Sequence, residues 1–209
     1  MITPRPLRID TAALPADWHP LVKNIYAGRL NHHDEIEKRL QHLLLPDNLT
    51  GLNAALDRLD HAIRNREPIL IYGDYDVDGA TATALTVRVL RQLGADVAWF
   101  IPNRSVHGYG FSLAGLADLP DATRLILTVD NGIQSHDAIS AARARGIDVV
   151  VTDHHLPGET LPPANAIVNP NRRDCPFAGK HLAGVGVAFY LLLALRSRLL
   201  AENRWPDTL

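Results

Sequence analysis

Short, wholly apolar runs recur along the chain and alternate with longer stretches of helical periodicity. Three of these runs cover residues 69–72, 125–127 and 149–151, and each is followed by a helical pattern. Continuous apolar runs of this length are typical of strands that are buried on both faces, as in a parallel sheet. Two further strands are predicted at residues 97–101 and 166–168.

The helical stretches between these runs complete a repeating strand–helix pattern. Leu52, Ala55, Leu56, Leu59 and Ile63 fall on one face of a predicted helix over residues 52–65. Further helices are predicted over residues 80–93, 113–117, 135–145 and 182–200. Alternation at this spacing produces right-handed βαβ units. The sequence therefore predicts an α/β fold with a doubly wound, mostly parallel sheet and helices on both faces.

The first 50 residues are predicted to form an N-terminal arm and a helix, ahead of the α/β domain in residues 51–209. Residues 1–31 are rich in proline and lack clear periodicity, which predicts an extended arm lying over the domain. Asn31 or Asp34 could cap a helix that continues to about Leu45.

Composition narrows the functional class only slightly. The 209 residues are 46% hydrophobic with a net charge of −2, and Cys175 is the one cysteine, which excludes an intrachain disulfide or a zinc ribbon. No signal-peptide pattern follows Met1, and the longest apolar run, residues 184–195, is shorter than the roughly 20 residues of a membrane span. We expect a cytoplasmic protein without a membrane segment.

Acidic side chains follow the three apolar runs directly. In an open parallel sheet, ligands bind beyond the carboxyl ends of the strands, so these side chains are expected to converge at one edge. Grouping carboxylates is costly unless cations neutralise them. Oxygen ligands with a single imidazole suit manganese or magnesium better than zinc. The residues in question are Asp74, Asp76 and Asp78, then Asp130, and then Asp153 followed by His154 and His155.

Each cluster has an ordinary structural interpretation when taken alone. The Asp-x-Asp-x-Asp-Gly string is not an EF-hand loop, because its twelfth position is Leu85 and a strand precedes it, but it could be a solvated turn. Asp130 and Asn131 could cap a helix, and adjacent histidines often lie on a surface. The coincidence of all three clusters with strand ends favours the metal site.

Two further segments could contact a phosphate. Arg104 and His107 lie on the loop after the second strand and could hold a phosphate or belong to an ordinary polar loop. Gly184 and Gly186 open the last helix, where free backbone N–H groups favour anions, although close helix packing would explain these glycines equally well.

The chain resembles the DHH phosphoesterase superfamily, which is named for the string found here as Asp153-His154-His155. The likeness covers roughly residues 50–200 and includes residues 72–79, 102–110, 128–132 and 182–189. It implies a site for two ions, Mn²⁺ or Mg²⁺, with Asp130 as a bridge between them. The implied ligands are Asp76, Asp78, Asp130 and His154. Asp74 and Asp153 are implied as supporting carboxylates, and His155 as a phosphate contact or proton-transfer group.

Within the superfamily, the likeness is greatest to bacterial single-strand-specific 5′-to-3′ DNA exonucleases. This implies a role in DNA repair and recombination, with single-stranded DNA, a single-strand-binding protein and a RecQ-like helicase as partners. A further metal-binding aspartate and later domains would be expected beyond Leu209, so the sequence is interpreted as an N-terminal fragment with little or no activity of its own. The alternatives are a nanoRNA or cyclic-dinucleotide phosphodiesterase, a manganese pyrophosphatase, and a non-catalytic replication scaffold.

Overall fold

A computed structural model describes residues 6–36 and 42–206 and divides the chain into two compact units, Met1–Leu44 and Leu45–Leu209. In the first unit, helix α1 covers Pro20–Ala27, with His19 as its N-cap and proline at its first position. The prediction of an extended arm is therefore wrong for these residues. The His19 ring accepts a hydrogen bond from the Leu21 N–H, and the N-terminal proline favours a helix start, but the helix is too short to show periodicity.

Shorter one-turn 3₁₀ helices complete the N-terminal region. They cover Thr11–Ala13 and His33–Ile36 in the first unit, and Pro46–Asn48 at the start of the second. The helix predicted between Asn31 and Leu45 lies partly on residues 37–41, which are outside the described residues.

The second unit contains a five-stranded parallel sheet in the order β2-β1-β3-β4-β5. This confirms the predicted α/β class and places strands β1, β3 and β4, which precede the acidic clusters, side by side. Their carboxyl ends share one edge because the strands run in register, with Tyr72 opposite Thr128 and Thr128 opposite Val151. The strands are β1 Ile69–Tyr72, β2 Val97–Phe100, β3 Leu125–Val129, β4 Asp148–Thr152 and β5 Ala166–Val168.

The helices agree with the predicted positions to within a few residues, except for α4, Arg104–His107, a single turn that forms where a loop is predicted. They are α2 Leu52–Asn65, α3 Val77–Gln92, α4 Arg104–His107, α5 Leu113–Ala117, α6 His136–Ala144 and α7 Gly184–Ala201. Among the predicted helices, the largest difference is at α3, which begins at Val77 and not at Ala80. The side chain of Asp76 caps α3 by accepting a hydrogen bond from the Gly79 N–H, so the helix starts inside the acidic string.

Alternate residues of each strand pack into two cores on opposite faces of the sheet. Ile69 and Ile71 belong to the core that contains α2, α3 and α7, whereas Leu70 and Tyr72 belong to the core that contains α5 and α6. This arrangement follows from the period-two alternation of side chains along a strand. It is the doubly wound architecture that the sequence predicts.

Helix α7 is long and apolar enough to cross a membrane by length and composition alone. Half of its apolar window is buried inside the protein, where it packs on α3 and α2. Its composition is therefore accounted for by its position in the core.

Candidate metal centre

The acidic clusters converge at the carboxyl edge of the sheet, as the strand pattern predicts. His154 Nε2 lies 3.2 Å from Asp130 Oδ1 and 3.6 Å from Asp78 Oδ2. The potential ligand atoms of Asp130, His154 and His155 lie within 4.8 Å of one another, and so do those of Asp74, Asp76 and Asp130. Asp130 belongs to both groups and is thus the geometric centre of the cluster.

Asp130 is held in an unusual backbone conformation at the end of β3. Its φ is 62°, in the left-handed region that only a few residue types other than glycine enter readily. The side chain is 1% exposed, and Oδ1 accepts no hydrogen bond among the described residues, although His154 Nε2 lies 3.2 Å away. Burial, with the charges of Asp78 and Asp76, raises the pKa of Asp130 to about 8.

Asp78 lies in the first turn of α3 and is bound by the N-terminus of α7. Its two carboxylate oxygens each accept one hydrogen bond of 2.7 Å, from the N–H groups of Gly184 and Val185. These donors are among the free N–H groups that open any helix. In this structure they bind a carboxylate of the protein itself. The segment that begins at Gly184 therefore binds an anion, as one interpretation predicts, and it also packs closely on the acidic cluster, as the other predicts.

Close packing is most severe at Gly184. A Cβ atom there would lie 2.3 Å from Asp130 Oδ1, whereas one at Gly186 would lie 3.2 Å from the end of the Leu182 side chain. Any side chain at position 184 would therefore displace the Asp130 carboxylate. Gly186 has no such contact with the acidic cluster.

Asp74 and Asp76 differ in exposure although they are two residues apart. Asp74 is 2% exposed and accepts a hydrogen bond of 2.7 Å from the Tyr75 N–H, and its burial raises the pKa of its carboxyl. Asp76 is exposed and uses Oδ1 for its 3.0 Å hydrogen bond to the N–H of Gly79. Its second oxygen is available to a ligand from solution.

Asp153 orients His155. Its Oδ1 accepts from the backbone N–H groups of His154 and His155 and lies 2.7 Å from His155 Nδ1, while Oδ2 accepts from the Ile133 N–H. The other imidazole nitrogen, Nε2, lies 3.1 Å from the Tyr109 hydroxyl. The hydrogen bond with Asp153 raises the pKa of His155 to about 9.

Arg104 and His107 lie on α4 with different surroundings. The exposed Arg104 guanidinium is 5.4 Å from the centre of the Tyr75 ring, next to the first acidic cluster. His107 is engaged at both nitrogens, by the Asn103 N–H at 2.8 Å and by the Asp118 carboxylate at 2.9 Å. The structure therefore brings Arg104 towards the cluster and uses His107 to fix the loop.

Three contributions to the site are not predicted by the sequence pattern. They are the Val185 N–H that binds Asp78, the Tyr109 hydroxyl at His155, and Asn131, whose amide donates to the carbonyls of Tyr72 and Val129. The Gly-Tyr-Gly turn at residues 108–110 is a visible signal for Tyr109. A backbone donor such as Val185 leaves no signal in its side chain.

The side chains at this edge fit hard divalent cations. Four carboxylates and an imidazole surround a small volume, and no arginine or lysine of the described residues forms an ion pair with Asp74, Asp76, Asp78 or Asp130. Mn²⁺ and Mg²⁺ prefer such oxygen ligands. The buried Asp130 Oδ1 without a hydrogen-bond donor is an atom that a cation would satisfy.

Comparison with known proteins agrees with this geometry. The single-stranded-DNA-specific exonucleases RecJ of Salmonella typhimurium and Escherichia coli are each 48% identical over 202 residues, which are 95% of this chain and 35% of each relative. The chain thus spans about a third of the length of these curated relatives.

Solved structures extend the similarity to the fold. A crystal structure of exonuclease RecJ bound to manganese is 44% identical, with a TM-score of 0.69 over 75% of this chain and 40% of that one. RecJ from Thermus thermophilus in complex with Mn²⁺ is 41% identical, with a TM-score of 0.64 over 81% of this chain and 24% of that one. The N-terminal domain of the DHH family matches residues 68–207. The chain therefore belongs to the DHH family and contains its N-terminal domain.

Proposed function

We propose that this chain provides metal-binding residues of a single-stranded-DNA-specific 5′-to-3′ exonuclease that acts in DNA repair and recombination. The observation that carries the proposal is the buried Asp130 carboxylate, which lies in both ligand groups and forms no ion pair with an arginine or lysine among the described residues. The RecJ relatives supply the substrate class, single-stranded DNA. We also propose that the DHH phosphoesterase domain covers residues 51–209 of this chain.

Asp76, Asp78, Asp130 and His154 would hold the ions, with Asp130 shared between them. The chemistry supplied by a bound pair of ions is activation of the attacking water and stabilisation of the leaving oxygen. Asp78 is preorganised by the Gly184 and Val185 N–H groups, which fix both carboxylate oxygens. Such outer contacts orient ligands and strengthen metal binding.

His155 would contact the phosphate or move a proton through Nε2. Asp153 fixes its Nδ1, so Nε2 is the atom that faces outward, towards the Tyr109 hydroxyl. Asp74, which is buried and has a carboxylate oxygen within 4.8 Å of those of Asp76 and Asp130, would add negative charge to the ion site. Arg104, exposed beside Tyr75, is a cation that could hold a neighbouring phosphate, and His107 would support it by fixing their common loop.

The intact set of carboxylates favours an enzyme over a non-catalytic scaffold. A scaffold would have no reason to retain a cluster that destabilises the protein in the absence of ions. A single-strand-binding protein and a RecQ-like helicase are proposed as partners, since such proteins expose and cover the strands that the enzyme degrades. A cytoplasmic location follows from the proposed substrate.

The test is an assay of the full-length polypeptide that carries this chain, with Mn²⁺ and a 5′-phosphorylated single strand. The expected result is stepwise release of nucleotides from the 5′ end, little degradation of a blunt duplex, and loss of turnover with EDTA. Asp130→Asn should be inactive, whereas Asp121→Asn, at a fully exposed carboxylate, should retain the rate. Preferential hydrolysis of a dinucleotide or of pyrophosphate would contradict the proposed substrate.

A further inference from the structure

A cavity of about 850 Å³ lies beside the candidate metal centre, on the face of the sheet covered by α5 and α6. Its walls come from the loop at Tyr109, the start of α5, the first turn of α6, and the segment from Asp153 to Leu156. This volume is within the range of about 300–1,000 Å³ that binds small organic molecules. The cavity is therefore large enough for a nucleoside.

The cavity and the metal centre share a wall. Asp153 and His155 line the cavity, and the His155 ring lies 4.6 Å from the ring of His154, measured between centroids. Tyr109, another wall residue, contacts His155 through its hydroxyl. A molecule with one phosphate at the acidic cluster would therefore have its adjoining group at the mouth of the cavity.

The rim of the cavity is apolar and exposed. Tyr109 is 60% exposed, Leu113 56% and Leu156 73%, and all three line the cavity. Apolar side chains that gather around a concavity commonly mark a ligand site. An aromatic ring among them provides a face on which a nucleobase can stack, and stacking of this kind accepts any base.

One polar group of the wall suits the edge of a heterocycle. Asn131 is 2% exposed and its amide N–H groups donate to two backbone carbonyls, so its side chain is held within the wall. Ser135, at the N-cap of α6, makes no capping hydrogen bond with its side chain. The Ser135 hydroxyl, which can both donate and accept, complements the N–H or carbonyl groups of a base.

An anion fits this cavity less well than a neutral ring. The N-terminus of α6 lies in the wall, but Asp137 is in its first turn and the carboxylate of Asp153 also lies in the wall. The Asp137 carboxylate would repel a phosphate at this position, whereas the Asp153 carboxylate is paired with the His155 ring. We propose that the cavity binds the sugar and base of a nucleotide joined to the phosphate at the acidic cluster, an inference that rests on the proposed function.

The test uses a substitution that fills the cavity from an exposed position. Ala114→Phe places a ring in the cavity, and Ala117→Phe is its matched control, since Ala117 is also exposed on α5 but does not line the cavity. Thymidine is titrated into the ¹⁵N-labelled chain without metal, and amide shifts are recorded. Saturable shifts are expected near residues 110–114 and 134–138, with affinity weakened roughly tenfold or more by Ala114→Phe only.

Separate titrations distinguish the failure of this inference from failure of the proposed function. Mg²⁺ should shift the amides of Asp130 and His154 in all three proteins. If Mg²⁺ shifts these amides but thymidine shifts none, the nucleoside site is refuted and the metal centre stands. If Mg²⁺ has no effect, the proposed function fails. Inorganic phosphate that competes with thymidine at the same amides would show an anion site and overturn the inference.

Discussion

Asp60 and Asp130 are both buried aspartates, but they have opposite electrostatic surroundings. Asp60, on α2, accepts hydrogen bonds of 2.7 Å from Arg64 and 2.8 Å from Arg204. Burial alone would raise the pKa of Asp60, yet the two arginines outweigh burial and lower it below 3.8. Asp130 instead lies near other carboxylates and the His154 and His155 rings, and burial together with the charges of Asp78 and Asp76 raises its pKa to about 8.

The difference shows that this fold can neutralise a buried carboxylate with its own arginines at a position away from the acidic cluster, as it does at Asp60. At the sheet edge it does not do so, although 21 lysines and arginines are available in the sequence. A buried charge without a partner costs several kcal/mol. The positive charge that would keep the Asp130 carboxylate ionised is therefore expected to come from bound ions.

The largest effect is expected from Asp130→Asn, which keeps the shape of the side chain and tolerates the left-handed backbone. Removing the shared carboxylate should weaken Mn²⁺ binding by more than about 100-fold. In the absence of metal, relief of repulsion should raise the free energy of unfolding by about 1–3 kcal/mol. Calorimetric Mn²⁺ titration and urea denaturation measure the two quantities, and unchanged Mn²⁺ affinity would contradict the assignment.

Gly184→Ala should have the next largest effect, through Asp130 and Asp78. The added Cβ would displace the Asp130 carboxylate and disturb the N–H groups that bind Asp78, so Mn²⁺ affinity should fall about 10–100-fold. Gly186→Ala is the matched control in the same helical turn, because its Cβ meets only the flexible end of Leu182. Equal losses of affinity in the two variants would indicate a general disturbance of α7.

Asp60→Asn should have the smallest effect and the opposite sign to Asp130→Asn in the metal-free protein. It leaves Arg64 and Arg204 without this carboxylate, so the free energy of unfolding should fall by about 1–2 kcal/mol at pH 7.

The pH dependence of this loss has a definite direction. Because the pKa of Asp60 is lowered in the folded state, its contribution is present above the unfolded pKa of about 3.8. That contribution disappears as the pH falls through the lower folded pKa. Urea denaturation of both proteins between pH 7 and pH 3 should therefore show the difference shrinking below about pH 4, and a constant difference would contradict it.

Much of the fold could be predicted because buried parallel strands can be recognised in the sequence as continuous apolar runs. The bounds of α2, α5 and β3 agree with the sequence pattern, as do the parallel sheet and its two faces. The start of α3 could not be found from hydrophobic periodicity, because the residues that begin it are polar. Asp76 is the N-cap and Asp78 lies in the first turn, and both also belong to the acidic cluster. Helix α1 is too short for its periodicity to distinguish it from a loop.

The candidate site was predictable as a convergence of residues but not as a set of contacts. Strand ends bring Asp130 and His154 together whatever their roles are. The contact between Asp78 and the N-terminus of α7 joins residues more than 100 positions apart through backbone groups, which any sequence could supply. For His107 the sequence suggests a phosphate contact that the structure does not support. Both of its ring nitrogens are engaged within the protein, by the Asn103 N–H and the Asp118 carboxylate.

The left-handed backbone at Asp130 also limits which residue types can replace aspartate at this position during evolution. With φ at 62°, only glycine, asparagine and aspartate fit without appreciable strain, and Gly184 leaves no room for a larger group. A library randomised at position 130 and sorted for folded protein alone should therefore return mostly those three residues. Related proteins that have lost the ion site would then be expected to have asparagine or glycine at position 130. Sequence surveys could recognise inactive members of the family by this residue.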